Sequence, residues 1–295
     1  MTTVRDLGYR AYEGELRPPT RNLWVMMRHG LWRIWGSWIN RIVVFFCWIP
    51  LLVLALVAFA RFGALGPELP EIPEGATGFG RWFLSPPAVW MRTLTGIQFW
   101  FCASIVTIRS GAGVIAEDLT NRAYQFYFAK PVTPIQYLAG RTGALALVVG
   151  LLVFVPVAIL GAILVGLGPE AERLERVGLL LPALFDATLI AVCTSSLAVA
   201  SSALSSSRAL TLTAWTLILV VPFALAFLVQ SIGHVEWVFA ASLPGALWCV
   251  GDALYKVSGD WTDLKWLHAA PILAIAVGAA SYGALVRIRR AEVIT

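Results

Sequence analysis

Polar and charged positions along this chain gather into short stretches that separate six long apolar runs. These are about Ile42 to Ala60, Thr95 to Ile115, Gly143 to Leu167, Gly178 to Leu204, Ala209 to Ser231 and Ala270 to Val286. A helix of about 17 residues or more crosses a hydrocarbon layer roughly 30 Å thick, so each run qualifies as a span. Inside such a layer the backbone must satisfy its own hydrogen bonds, which makes helices the expected form. The pattern predicts an all-α integral membrane protein, with residues 42–295 forming one six-span domain behind a cytoplasmic segment, residues 1–41. An even number of spans puts both termini on one side. The first run begins too late and runs too long for a cleavable signal, so it is expected to stay as the first membrane helix.

The segments between the runs carry their own patterns. Projected at a helical period, Leu23, Trp24, Met27, Leu31, Ile34 and Trp35 share one face, while Arg21, Arg28, His29 and Arg33 share the other. This predicts an N-terminal amphipathic interfacial helix, Arg21 to Trp35, with tryptophans at the interface and arginines toward anionic lipid. The stretch Phe62 to Leu94 is rich in Gly and Pro and is expected to be irregular, folded over the outer mouth. A second outer stretch, 232–269, carries Trp237, Trp248, Trp261 and Trp266 and is interrupted by Pro244. It is expected to form short outer helices before the last span, dipping into or resting on the outer leaflet.

Composition agrees: 59% of residues are hydrophobic and 13% charged, about half the charge of an ordinary soluble domain. Mean hydropathy is +0.77. The net charge of +5 would fit a nucleic-acid partner in a soluble protein; here its distribution says otherwise. The side holding the termini carries 14 Lys and Arg, the other side seven in more residues, and Arg109 falls within the second run. That bias predicts cytoplasmic termini and a multi-pass protein of the inner membrane, with no nucleic-acid partner. Cys47, Cys102 and Cys193 fall in apolar runs and Cys249 in a loop, so they read as buried packing thiols rather than a disulfide framework.

Candidate chemistry is sparse. Arg109 and Asp186 are the charges well inside the predicted spans. Arg109 is near an inner end and can snorkel, whereas Asp186 is a possible intramembrane functional charge, facing a cavity or paired with a neighbour. His29, His234 and His268 are dispersed without metal-ligand spacing. There is no HExxH, no GxSxG elbow and no Gly-rich phosphate loop ending in Lys-Ser or Lys-Thr, so neither catalytic residues nor a cofactor or metal site are expected in this chain. Ser195, Ser196, Ser201 and Ser202 read as small residues that permit close packing and bond back to helix carbonyls. Ala274 with Gly278, and Ala279 with Gly283, give a weak signal for a helix contact in the last span.

The most specific segment joins the second and third spans. It reads Ala116-Glu117-Asp118-Leu119, then a short aromatic helix, about Leu119 to Ala129, containing Tyr124, Phe126, Tyr127 and Phe128. Lys130-Pro131-Val132-Thr133-Pro134 stops that helix, and Tyr137-Leu138-Ala139-Gly140-Arg141 leads into the third span. An aromatic helix beside charged groups, held between two spans, suits docking into a groove on a cytosolic partner. The alternative is a loop whose aromatics anchor it in lipid.

This segment resembles the one after the second span in permease subunits of ABC-2 type ABC transporters. Leu204-Ser-Ser-Ser-Arg-Ala209 is similar to that family's short link between the fourth and fifth spans, and the six-span layout matches. The resemblance implies one permease subunit, an exporter half, paired with a copy or a sibling and fitted to a separate nucleotide-binding ATPase chain. ATP and Mg would sit on that partner. The coupling helix, about 117–131, would place Glu117, Asp118, Arg122, Tyr124, Tyr127, Lys130 and Pro131 at or beside the ATPase contact. The interfacial helix, with Trp24, Met27, Arg28, Leu31, Arg33 and Trp35, would brace that partner. The substrate path would lie between two permeases, lined in part by the second and fifth spans. Two other classes stay open at this point: a nucleotide-independent membrane enzyme or ion-coupled carrier using Asp186, and a non-transporting membrane scaffold.

Overall fold

The computed structural model describes residues 20–64, 78–121, 123, 127, 132–233, 236–256 and 266–293. No strand occurs among them. Six helices are long and apolar enough to cross a membrane: Trp38–Gly63, Pro87–Thr120, Pro134–Leu167, Glu170–Ser201, Arg208–Val229 and His268–Arg290, taken below as spans one to six. The second and third are central, with 67% and 50% of their apolar windows buried. The first, fifth and sixth bury 22%, 17% and 17%, so they flank the core and keep open faces.

Local sequence explains where the helices break. In the first span, Trp38–Phe46 gives way at Cys47 and Trp48 to Ile49–Ala58. Pro50 causes this, because it lacks an N–H and its ring crowds the carbonyl four residues back. The carbonyl of Cys47 accepts 2.7 Å from Gln98 Nε2. Gln98 opens a π-helical turn, Gln98–Ala103, within the second span. Cys47 and Cys102 are joined there in a disulfide, with Cα atoms 5.8 Å apart. This corrects the expectation of unpaired packing thiols: the first span's bend and the second span's π turn face one another, which sequence spacing does not show. Cys193 and Cys249 are free and buried.

The third span is an unbroken helix of 34 residues, about 50 Å long, so it outruns a hydrocarbon layer. A capping box starts it: the Thr133 hydroxyl accepts from the Gln136 N–H and the Thr133 N–H donates to Gln136 Oε1. Pro134 takes the position where a missing N–H costs nothing. The start at Pro134 rather than Gly143 brings Tyr137 and Arg141 into the helix.

The N-terminal helix, Thr20–Gly36, lies against the beginning of this span. Its buried stripe is Met26, Gly30 and Ile34, one turn apart. The approach is close: a Cβ on Gly30 would lie 2.6 Å from Ala144 Cβ, and one on Gly140 would lie 2.6 Å from Met26 Cβ. The face read from hydrophobicity is therefore rotated, because a glycine carries no apolar signal yet admits the nearest contact. Trp24, Trp32 and Trp35 are at least half exposed, and Met27 and Leu31 flank the buried stripe.

At the opposite end, here the far face, two expectations are corrected. The stretch after the first span is not irregular up to Leu94: Phe79–Phe83 is a short helix and the second span begins at Pro87. Residues 65–77 lie outside the described residues. Among the described residues, the insert before the last span is helical as expected, but its longer helix is drawn into the bundle rather than lying outside it. Its helix Leu243–Tyr255, capped by Ser242, is buried along Pro244 to Leu247, Cys249 to Asp252 and Tyr255. It packs against the second, fourth, fifth and sixth spans.

Candidate functional site

Two charged clusters sit at opposite ends of the bundle. The first lies at the terminal face, where the N-terminal helix meets the ends of spans two, three and five. A turn at Gly111, Ala112 and Gly113 redirects the second span into Val114–Thr120, which carries Glu117 and Asp118. Neighbouring helical residues point about 100° apart, so the two carboxylates serve different partners. Asp118, 5% exposed, turns inward. Its Oδ2 accepts from the Tyr137 hydroxyl at 2.6 Å and from Arg141 Nη2 at 2.5 Å, and its Oδ1 is 3.6 Å from Arg33 Nη1. Glu117 turns outward and pairs with Arg33 and Arg208.

Tyr137 and Arg141 are four residues apart and so share a helix face. Both are buried. The Tyr127 hydroxyl accepts from Arg141 Nη2 at 3.0 Å, its ring centroid is 5.6 Å from that of Tyr137, and the Arg141 guanidinium lies 5.5 Å from both rings. A desolvated cation over aromatic faces is held by charge as well as by packing. Asp118, Tyr137 and Arg141 thus form a buried tie between the second and third spans, with Tyr127 against it. Ser202 adds to it, its hydroxyl accepting from the Ile115 N–H at 3.2 Å while donating to Val199 O at 2.6 Å. Ser201 bonds back to Ala198 O in the expected way.

The second cluster lies at the far face. Arg92, 5% exposed, donates from Nε to Asp252 Oδ1 at 2.6 Å and from Nη2 to Trp248 O at 2.9 Å, and stacks 4.2 Å over the Trp248 ring. Gly251 leaves the room for this: a Cβ there would lie 2.8 Å from Arg92 Cζ. Asp186 is fully buried in the fourth span with Arg92 Nη1 3.9 Å away, and among the described residues neither of its oxygens has a hydrogen-bond donor. Two carboxylates here share one guanidinium.

The structure brings Arg33, Glu117, Asp118 and Tyr127 together. Trp24, Met27, Arg28, Leu31 and Trp35 lie along the N-terminal helix, outside that contact set. Arg122, Tyr124, Lys130 and Pro131 lie outside the described residues. Arg109 is exposed on the wall of the terminal-face cavity. Arg92 and Asp252, expected in outer loops, instead lie buried within helices of the bundle. The usable signal was Pro86-Pro87, since proline favours a first helical turn and would have drawn Arg92 into the span. The small-residue stripe of the last span meets no helix among the described residues, for nothing lies within 4 Å of a Cβ at Gly278 or Gly283. Among the described residues, no three His, Cys, Asp or Glu converge as metal ligands.

The sequence matches no known protein-family description, and no characterised protein is significantly similar to it.

Proposed function

We propose that this chain is the permease subunit of an ATP-driven transporter of the ABC-2 type, an exporter half powered by a separate ATPase chain. The observation that carries the reading is the Asp118–Tyr137–Arg141 tie, which joins the ends of the second and third spans on either side of the segment that links them. A partner gripping residues near Tyr124 and Tyr127 would pull on both spans at once, because the tie joins their ends. ATP-driven closure of two ATPases would then tilt these spans as rigid bodies. Glu117 and Asp118 act behind this contact rather than in it, since both are engaged within the chain. In this scheme both termini are cytoplasmic, the chain sits in the inner membrane, and the N-terminal helix lies at the interface beside the ATPase. A second permease, copy or sibling, completes the path along the exposed face of the fifth span. The second span, largely buried within its own chain, contributes less to that path than the resemblance implies.

Affinity capture of the full chain should retain a nucleotide-binding subunit. Tyr124→Ala with Tyr127→Ala should lower nucleotide-driven flux in proteoliposomes about tenfold or more, while ATP hydrolysis by the partner continues. Tyr127→Phe, which keeps the ring, should lose less. A lone chain that transports at full rate without any ATPase would overturn the reading. One observation favours a second reading, a nucleotide-independent carrier: the Asp186 carboxylate is buried without a donor.

A further inference from the structure

At the terminal face a cavity of about 190 Å³ opens between the N-terminal helix and the ends of spans one, two, three and five. Arg33, Arg109, Arg141 and Arg208 line it, with Glu117 as the acidic wall residue and Asp118 behind. Four guanidiniums thus meet two carboxylates. Arg33 and Arg208 share Glu117, Arg141 has Asp118, and Arg109 has no ion pair among the described residues. Arg141 is 3% exposed, yet its Nε and Nη1 have no acceptor. Leaving buried charged donors unmatched is costly. The field is felt nearby: the His29 pKa is lowered from 6.5, first by burial, then by Arg141 and Arg33, against a smaller opposite effect of Asp118.

We infer that this cavity binds a phosphate group. The excess of two positive charges attracts a phosphate group, and planar guanidinium forks suit its oxygens. The volume holds about six groups of water size, enough for the five heavy atoms of a phosphate and a short arm. Trp35 and Trp38, next in sequence to the wall residues Ile34 and Ser37, are exposed, and tryptophan favours the headgroup layer. A basic pocket at that depth suits an anionic lipid headgroup, and a free phosphate offers the same chemistry. The inference needs the chain to be membrane-embedded and is independent of its coupling to an ATPase.

The test uses the full chain purified in detergent or placed in nanodiscs. Thermal unfolding is followed with inorganic phosphate against chloride at matched ionic strength, and in phosphatidylcholine nanodiscs with and without phosphatidylglycerol. Stabilisation by phosphate alone identifies a free anion, and stabilisation by phosphatidylglycerol alone identifies a headgroup; either supports the site. Arg109→Gln with Arg208→Gln should weaken the effect roughly tenfold, because each guanidinium contributes charged hydrogen bonds. Arg109→Gln alone, on an exposed residue, serves should the double variant fail to fold. Arg289→Gln with Arg290→Gln, two exposed basic residues of the last span, should leave the affinity unchanged. No stabilisation by either probe, or equal losses in the test and control variants, would overturn the proposal.

Discussion

Asp118 and Arg141 show how much one buried pair can hold. Their side chains are 7% and 1% exposed, so water screens them little. Removing one partner leaves a desolvated charge, which typically costs about 3–5 kcal/mol, whereas replacing both by apolar groups is often close to neutral. Asp118→Asn should therefore lower the thermal unfolding temperature sharply, and Asp118→Leu with Arg141→Met should recover most of the loss; calorimetry in detergent checks both. Glu117 and Asp118 were legible as candidates because charge at a span's end stands out against an apolar background. Arg141 and Tyr137 stood in the same motif, but only the helix register reveals that they turn toward Asp118. Arg92 was hidden for the reverse reason, since a loop assignment assumes water around it while the helix carries it into the core.

The helices were legible as elements because apolar length is a strong signal, and each of the six spans overlaps the run that announced it. Their ends were less legible, since the capping box at Thr133 and the proline at position 87 extend helices past the apolar runs. The N-terminal helix shows what hydrophobicity omits. Gly30 and Gly140 set its contact with the third span through the absence of side chains. Gly30→Val should cost about 1–3 kcal/mol by overpacking, seen as a lower unfolding temperature and faster proteolysis between this helix and the first span. Gly36→Ala, with nothing within 4 Å of its added carbon, should change neither.

For the whole molecule, the number of spans followed from the chain's pattern while their arrangement did not, because periodicity says nothing about which helix lies inside. The insert helix shows this: its apolar residues suit lipid and core equally, and the Arg92–Asp252 pair decides for the core. Arg92→Gln should free that helix and leave two carboxylates uncompensated, at a cost of about 3–5 kcal/mol measured by thermal unfolding. Asp186→Asn should retain at least about half of nucleotide-driven flux if the chain is a permease, and should abolish transport if it is an Asp186-dependent carrier.

The Cys47–Cys102 bond closes the stretch between the first two spans into a covalent ring. A cleaved peptide link anywhere within that ring would nick the polypeptide without shedding a fragment, so the N-terminal piece would remain tethered to the other five spans.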